Sequence, residues 1–218
     1  MRAFDLICFD VDGTLVEHPD NKVIWEVLNT RILGNDDVNK KRFRMYSDGE
    51  ISYDEWVELD VGGWMEHGAT RSQILEAVGE FNLIEGARET VTELKRRGYR
   101  LAVISGTLDI MIDTLFPDHP FEAVFTNKVL FDRNGTLESW EATPFDLHGK
   151  PVALRSLVER FDTSLERSAF VGDGDNDVPL LGVAGYFVAF NPRSRELEER
   201  SDIVIKRRDL RALLEIFQ

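Results

Sequence analysis

The sequence predicts an α/β fold: a doubly wound, mostly parallel sheet, with an all-helical segment inserted after its first strand and a β-hairpin at one edge. Three observations carry that prediction. From Glu85 onward, short apolar runs alternate with segments of helical periodicity. From Glu17 to about Phe81 nothing reads clearly as a strand. Asn134-Gly135 joins two strand-like runs, which is a strong hairpin signal. The expected division is 1–16 with 82–218 as the core and 17–81 as the insert.

In chain order, Leu6-Ile7-Cys8-Phe9 is an apolar run of a buried strand. Ile24, Val27, Leu28 and Ile32 then share one helical face, with Gly34 as a stop. A weaker helix follows from Val38 to Tyr46. Ser52 with Glu55 and Thr70 with Gln73 read as capping boxes that open two more helices. Gly62-Gly63-Trp64 reads as a bend in the first of these. In the second half, Ala87 to Leu94 is helical, and Leu101 to Ile104 is a strand ending in Ser105-Gly106. Leu108 to Phe116 is a helix, and Ala123 to Thr126 a strand. Lys128 to Asp132 and Thr136 to Glu141 form the expected hairpin. Lys150-Pro151 opens a helix, since proline suits a first helical turn. Ser168 to Val171 is a strand, Val178 to Ala184 a short helix, and Tyr186 to Phe190 and Ile203 to Ile205 further strands. A closing helix carries Leu210, Leu213, Leu214 and Phe217.

The chain has 218 residues, 43% of them hydrophobic, enough for a core plus a small insert. Its net charge of −14 disfavours nucleic-acid binding. It also repels anionic substrates, so a phosphate ester would need local positive charge and a cation. The single cysteine, Cys8, excludes an intramolecular disulfide and reads as a small buried hydrophobe. No run is long and apolar enough for a signal peptide or a membrane span. A cytoplasmic protein with no membrane or nucleic-acid partner is expected.

The chemistry begins at Asp10-Val11-Asp12-Gly13-Thr14. Residues two apart on an extended chain point the same way, so both carboxylates can face one site. Two buried acids call for a compensating cation, and hard oxygen ligands suit magnesium. In a doubly wound sheet the site lies beyond the carboxyl ends of the strands. There the second strand offers Ser105 and Gly106, and a later one offers Asp173, Asn176 and Asp177. Lys150 stands at a helix start. Asp173 to Asp177 resembles a calcium loop in isolation, but Val178-Pro179-Leu180-Leu181 lacks that loop's remaining ligands. The set fits phosphoryl transfer through a carboxyl-phosphate. Asp10 is the expected nucleophile and Asp12 the acid and base. Magnesium would bridge Asp10 and Asp173. Ser105, Gly106 and Asn176 would hold phosphoryl oxygens, Lys150 would neutralise charge, and Asp177 would orient Lys150 or a metal-bound water.

These residues resemble the haloacid dehalogenase superfamily of aspartyl-phosphate phosphatases. The match comprises the Asp10 to Thr14 motif, Ser105 of Val103-Ile104-Ser105-Gly106, Lys150, and Gly172-Asp173-Gly174-Asp175-Asn176-Asp177. It spans nearly the whole chain and looks most like phosphoserine phosphatases. The resemblance implies a Rossmann-like core, a mobile helical cap, Mg2+ as cofactor, and hydrolysis of a small phosphate monoester. The implied metal ligands are Asp10, the backbone carbonyl of Asp12, and Asp173. Phosphoserine phosphatases also carry a glutamate soon after the first motif and a cap arginine that grips the substrate carboxylate. Here Glu17-His18-Pro19 and Glu58-Leu59-Asp60-Val61 stand near those positions, with no arginine, which speaks against phosphoserine as the specific substrate. Arg42, Arg44 and Arg71 are the substitutes within the cap, and Trp56, Trp64 and Met65 either wall a pocket or pack the cap core. Two alternatives stand beside hydrolysis: a phosphotransferase or phosphomutase, and a non-catalytic phospho-ligand-binding or receiver-like module.

Overall fold

The computed structural model describes residues 3–35 and 37–218. The first strand, β1 (Leu6–Phe9), is wholly buried and leads directly to Asp10. Then β2 (Val16–Glu17) pairs antiparallel with β3 (Asn82–Leu83). This two-stranded clasp closes the ends of the insert, a feature too short for apolar alternation to reveal. Between the clasp strands lie α1 (Ile24–Leu33), α2 (Asp37–Ser47), α3 (Tyr53–Glu66) and α4 (Arg71–Val78). Both predicted capping boxes are present: Ser52 and Thr70 accept from the amides of Glu55 and Gln73.

The expected bend at Gly62-Gly63 is absent, and α3 runs through it. A Cβ at Gly62 would meet open space and one at Gly63 only ordinary contact with Leu33, so the packing does not require glycine at either position. Burial of Trp56, Val57, Val61 and Trp64 carries α3 through, outweighing the roughly 1 kcal/mol by which each glycine disfavours a helix interior. Trp64 is fully buried, its indole Nε1 donating to Asn29 Oδ1 at 2.7 Å, so it packs the insert core.

The second half comprises α5 (Ala87–Arg96), β4 (Arg100–Leu108), α6 (Asp109–Leu115), β5 (Ala123–Phe131), β6 (Leu137–Glu141), α7 (Lys150–Arg160), β7 (Ser168–Gly172), β8 (Tyr186–Phe190), α8 (Arg195–Arg200), β9 (Ile203–Ile205) and α9 (Leu213–Ile216). The seven-stranded sheet has the order β6-β5-β4-β1-β7-β8-β9. All neighbours are parallel except β6, which runs antiparallel to β5 at the edge. One apolar layer, including Ile7, Phe9, Val103 and Val171, covers one face. Cys8, Ala102, Phe170 and Leu157 belong to the layer on the other.

Three further elements differ from expectation. The runs Ala123 to Thr126 and Lys128 to Asp132 are one strand, β5, which pairs with β4 first and β6 second. The segment after Asp173 is a 3-10 helix over Asp175–Leu180, since its helical hydrogen bonds span three residues and Pro179 lacks an amide donor. The short α8 was not expected, because only Leu197 of its six residues is buried. The hairpin also meets the insert: Arg71 N donates to Gly135 O at 2.8 Å, and Leu137 N to Ala69 O at 2.9 Å.

Candidate active site

The central strands deliver their carboxyl ends side by side. Phe9 sits between Val103 of β4 and Val171 of β7. Asp10 N donates to Val171 O at 3.0 Å, which holds the first motif against β7. Lys150 opens α7 with its side chain fully buried. Its Nζ donates to Asp10 Oδ1 at 2.7 Å and to Asp177 Oδ1 at 2.6 Å. The other Asp177 oxygen accepts from the amides of Asp173 and Gly174 at 3.0 and 3.2 Å. An ammonium between two buried carboxylates satisfies groups that would be very costly to bury alone.

Asp173 lies over Gly13, which adopts a left-handed φ of +89°. A Cβ at Gly13 would fall 2.2 Å from Asp173 Oδ2, so only glycine admits this carboxylate beside the first motif. At β4, the register against β5 shifts between Ile104 and Leu108. Ser105 and Gly106 fall in this irregular stretch and line the cavity. The Gly106 carbonyl accepts from Trp25 Nε1 of the insert at 2.9 Å and from Asn127 Nδ2 at 2.7 Å. Asn127 also donates to the Tyr53 hydroxyl at 2.8 Å, and its Oδ1 accepts from Thr143 N at 2.8 Å. The irregular end of β4 after Ser105 is therefore tied to α1 and α3.

A cavity of about 600 Å³ opens between these strand ends and the insert. Its floor includes Asp10, Asp12, Ser105, Gly106 and Asn176, and its far wall Trp25, Phe43, Arg44 and Trp56. Burial, followed by the charge of Asp10, raises the Asp12 carboxyl from 3.8 to about 7; the nearby Thr107 hydroxyl and Arg193 pull the other way. Burial likewise raises Asp173 to about 8, against the pull of Arg193. Asp177 is raised by burial, although Lys150 opposes the shift. Burial disfavours the Lys150 charge, yet Asp10, Asp177 and Asp146 outweigh it and hold the ammonium protonated.

The donor set fits a divalent metal ion. Asp10, Asp173 and Asp177 offer buried carboxylate oxygens within 4.8 Å of one another. Asp173 Oδ1 is buried without a hydrogen-bond partner, whereas both Asp177 oxygens are engaged. The free oxygen thus belongs to Asp173, and Asp177 supports Lys150 and the loop. All-oxygen donors suit a hard cation.

Asp10, Asp12, Ser105, Gly106 and Asn176 all line this cavity, and Lys150, Asp173 and Asp177 form the buried cluster beside Asp10. The insert differs from expectation. Glu17 lies in β2, 3.5 Å from Arg208, and the insert glutamate on the cavity is Glu26. Asp60 is buried and paired with Arg42, so Arg42 is committed to the insert's interior. Of Arg42, Arg44 and Arg71, only Arg44 lines the cavity. Trp25, Asn127, Asp146 and Arg193 were not anticipated as site residues. None belongs to a motif, and the one sequence signal is Asn127 itself, a polar residue between the strand-like runs Ala123 to Thr126 and Lys128 to Asp132.

The model of the haloacid dehalogenase-like hydrolases matches residues 4–185. The chain belongs to that family. It is 30% identical over 209 residues to a phosphoserine phosphatase of Methanocaldococcus jannaschii, covering 96% of this chain and 95% of that one. It is 32% identical over 206 residues to the phosphoserine phosphatase SerB2 of Mycobacterium tuberculosis, covering 92% of this chain and 48% of that one. A solved phospho-aspartyl intermediate analogue of phosphoserine phosphatase superposes with a TM-score of 0.78 at 28% identity, over the whole of both chains. A substrate-bound phosphoserine phosphatase superposes with a TM-score of 0.79 at 27% identity, again over both whole chains. The chain is a phosphatase of this family, a phosphoric monoester hydrolase. Phosphatases of this kind use a metal ion, as the acidic cluster fits. No helix among the described residues is long and apolar enough to cross a membrane.

Proposed function

We propose that the chain is a Mg2+-dependent phosphatase that hydrolyses a small phosphate monoester through an aspartyl-phosphate on Asp10, with residues 17–81 acting as a cap over a core of 1–16 and 82–218. The observation that carries this reading is the buried constellation itself: Lys150 bonded to Asp10 and Asp177, with Asp12 and the free oxygen of Asp173 beside them. A carboxylate oxygen of Asp10 attacks phosphorus while the bond to the alcohol oxygen breaks. Asp12, raised to about 7 and so able to carry a proton, donates it to that leaving oxygen. The same carboxylate then takes a proton from a water whose oxygen attacks phosphorus, which releases phosphate and restores Asp10. Ser105 and Asn176 bond phosphoryl oxygens, and Lys150 offsets the charge on the transferring group. Asp10, the Asp12 carbonyl and Asp173 would hold Mg2+, which supplies charge neutralisation when bound.

Phosphoserine is the reference substrate, because similar enzymes bear its name. The segment Glu58-Leu59-Asp60-Val61 provides no arginine, and the insert lines the cavity with Val23, Trp25, Phe43 and Trp56 beside Glu26, Asn39, Lys40 and Arg44. The aromatic rings favour an alcohol with an apolar part. The test is a Mg2+-dependent screen of phosphate monoesters that includes phosphoserine. Turnover of esters with apolar alcohols above phosphoserine is expected. A strong preference for phosphoserine would overturn the specificity, and no turnover of any ester would overturn the activity.

A further inference from the structure

Arg193 follows β8 and belongs to none of the motifs that announce the site, yet it holds Asp173 twice. Its backbone amide donates to the Asp173 carbonyl at 2.8 Å, and its Nε donates to Asp173 Oδ2 at 2.6 Å. The same guanidinium reaches the Asn21 carbonyl at 3.3 Å and the Asp12 carbonyl at 3.5 Å. The carboxylate also fills the space that a Cβ at Gly13 would occupy, so glycine there leaves room for it. The remaining oxygen, Oδ1, is buried and has no partner.

We propose that Arg193 is a positioning residue for the metal ion: by clamping Oδ2 of Asp173 it aims Oδ1 at the cluster formed with Asp10. Carboxylates that bind metals are commonly held by such outer hydrogen bonds, and losing one costs about 10- to 100-fold in affinity. The opposing effect is charge. A guanidinium repels a divalent cation, so on charge alone its removal would tighten binding. The Arg193 side chain is 42% exposed, which screens that repulsion, while its bond falls on a carboxylate only 2% exposed. Orientation therefore outweighs repulsion, and the sign of the change distinguishes them.

The proposal rests on the reading of this cluster as a metal centre. Its test is calorimetric titration of the full chain with Mg2+ for wild type, Arg193→Gln and Arg193→Lys, with KM and kcat at saturating Mg2+ alongside. Arg193→Gln is expected to weaken Mg2+ binding about 10- to 100-fold. Arg193→Lys keeps the charge without the Nε donor and is expected to weaken it as well, by less. Should the Gln variant not fold, the Lys variant decides alone. Unchanged or tighter Mg2+ binding in a folded variant would overturn the role of Arg193, including the case where only its thermal stability falls. A wild-type chain that binds no Mg2+ would overturn the metal centre itself, and the role of Arg193 with it.

Discussion

The two sides of the cavity are built differently. The core side is a closed set of ion pairs and amide bonds: Lys150, Asp10, Asp173 and Asp177 are each at most 2% exposed. The insert side is a wall of large side chains with looser support. Of α2, only Asn39 is buried, and Phe43 is 42% exposed. Strand ends in one sheet have a fixed register, so the groups they carry are held rigidly enough for proton and phosphoryl transfer. A helix packed on one side has more freedom, which suits selection among alcohols. On the proposed function, chemistry would reside in the sheet and selectivity in the insert.

Substitutions on the two sides should differ in kind. The largest effect is expected for Lys150→Met, which leaves Asp10 and Asp177 buried without their cation. A loss of about 3–5 kcal/mol in stability is expected from denaturant unfolding, together with loss of turnover. Asp12→Asn removes the proton carrier while keeping the shape of the side chain. It is expected to lower kcat about 10²- to 10⁴-fold, with the greater loss for alcohols that are poor leaving groups. Retained kcat would remove Asp12 from the mechanism.

A third expectation concerns pH in the presence of a chelator. The folded state raises Asp12 from 3.8 to about 7 and Asp173 from 3.8 to about 8, so it holds those protons more tightly than the unfolded chain. Their contribution to stability is fully present below the ordinary carboxylate pKa and is lost as pH rises through the folded values. The melting temperature should therefore fall between about pH 4 and about pH 8. Saturating Mg2+ should flatten that slope, because a bound cation replaces the protons. A flat profile without metal would show these carboxylates to be compensated by some other charge. The smallest effect belongs to the insert: Phe43→Ala should shift stability by less than about 0.5 kcal/mol. It should change KM for bulky alcohols by up to about 10-fold and leave kcat for compact ones alone.

The same contrast governs how much was legible in the sequence. Asp10 and Ser105 stand just after apolar runs, Asp173 one glycine beyond another, and Asp12 two residues after Asp10, so strand ends and spacing point to them. The antiparallel edge was legible from Asn134-Gly135. Arg193 stands 20 residues beyond Asp173, and Asn127 is 21 residues from Gly106; only the folded sheet brings each pair together. Gly62-Gly63 misled because a propensity was read without the burial of Trp56, Val57, Val61 and Trp64 that holds α3 together. Asp60 pairs with Arg42 from a different helix, so whether an arginine serves the cavity or the insert's interior depends on packing. The role of the insert's residues thus lies in contacts between helices, which periodicity does not record.

The central claim is that the phosphoryl group passes through Asp10. Mass spectrometry of the chain quenched during turnover of a phosphate monoester tests it directly, with Asp10→Asn as the control. The expected result is a phosphoryl group on the peptide carrying Asp10, none in the variant, and no turnover by the variant. Phosphoryl transfer to a different residue, or full turnover by Asp10→Asn with Mg2+ present, would contradict it.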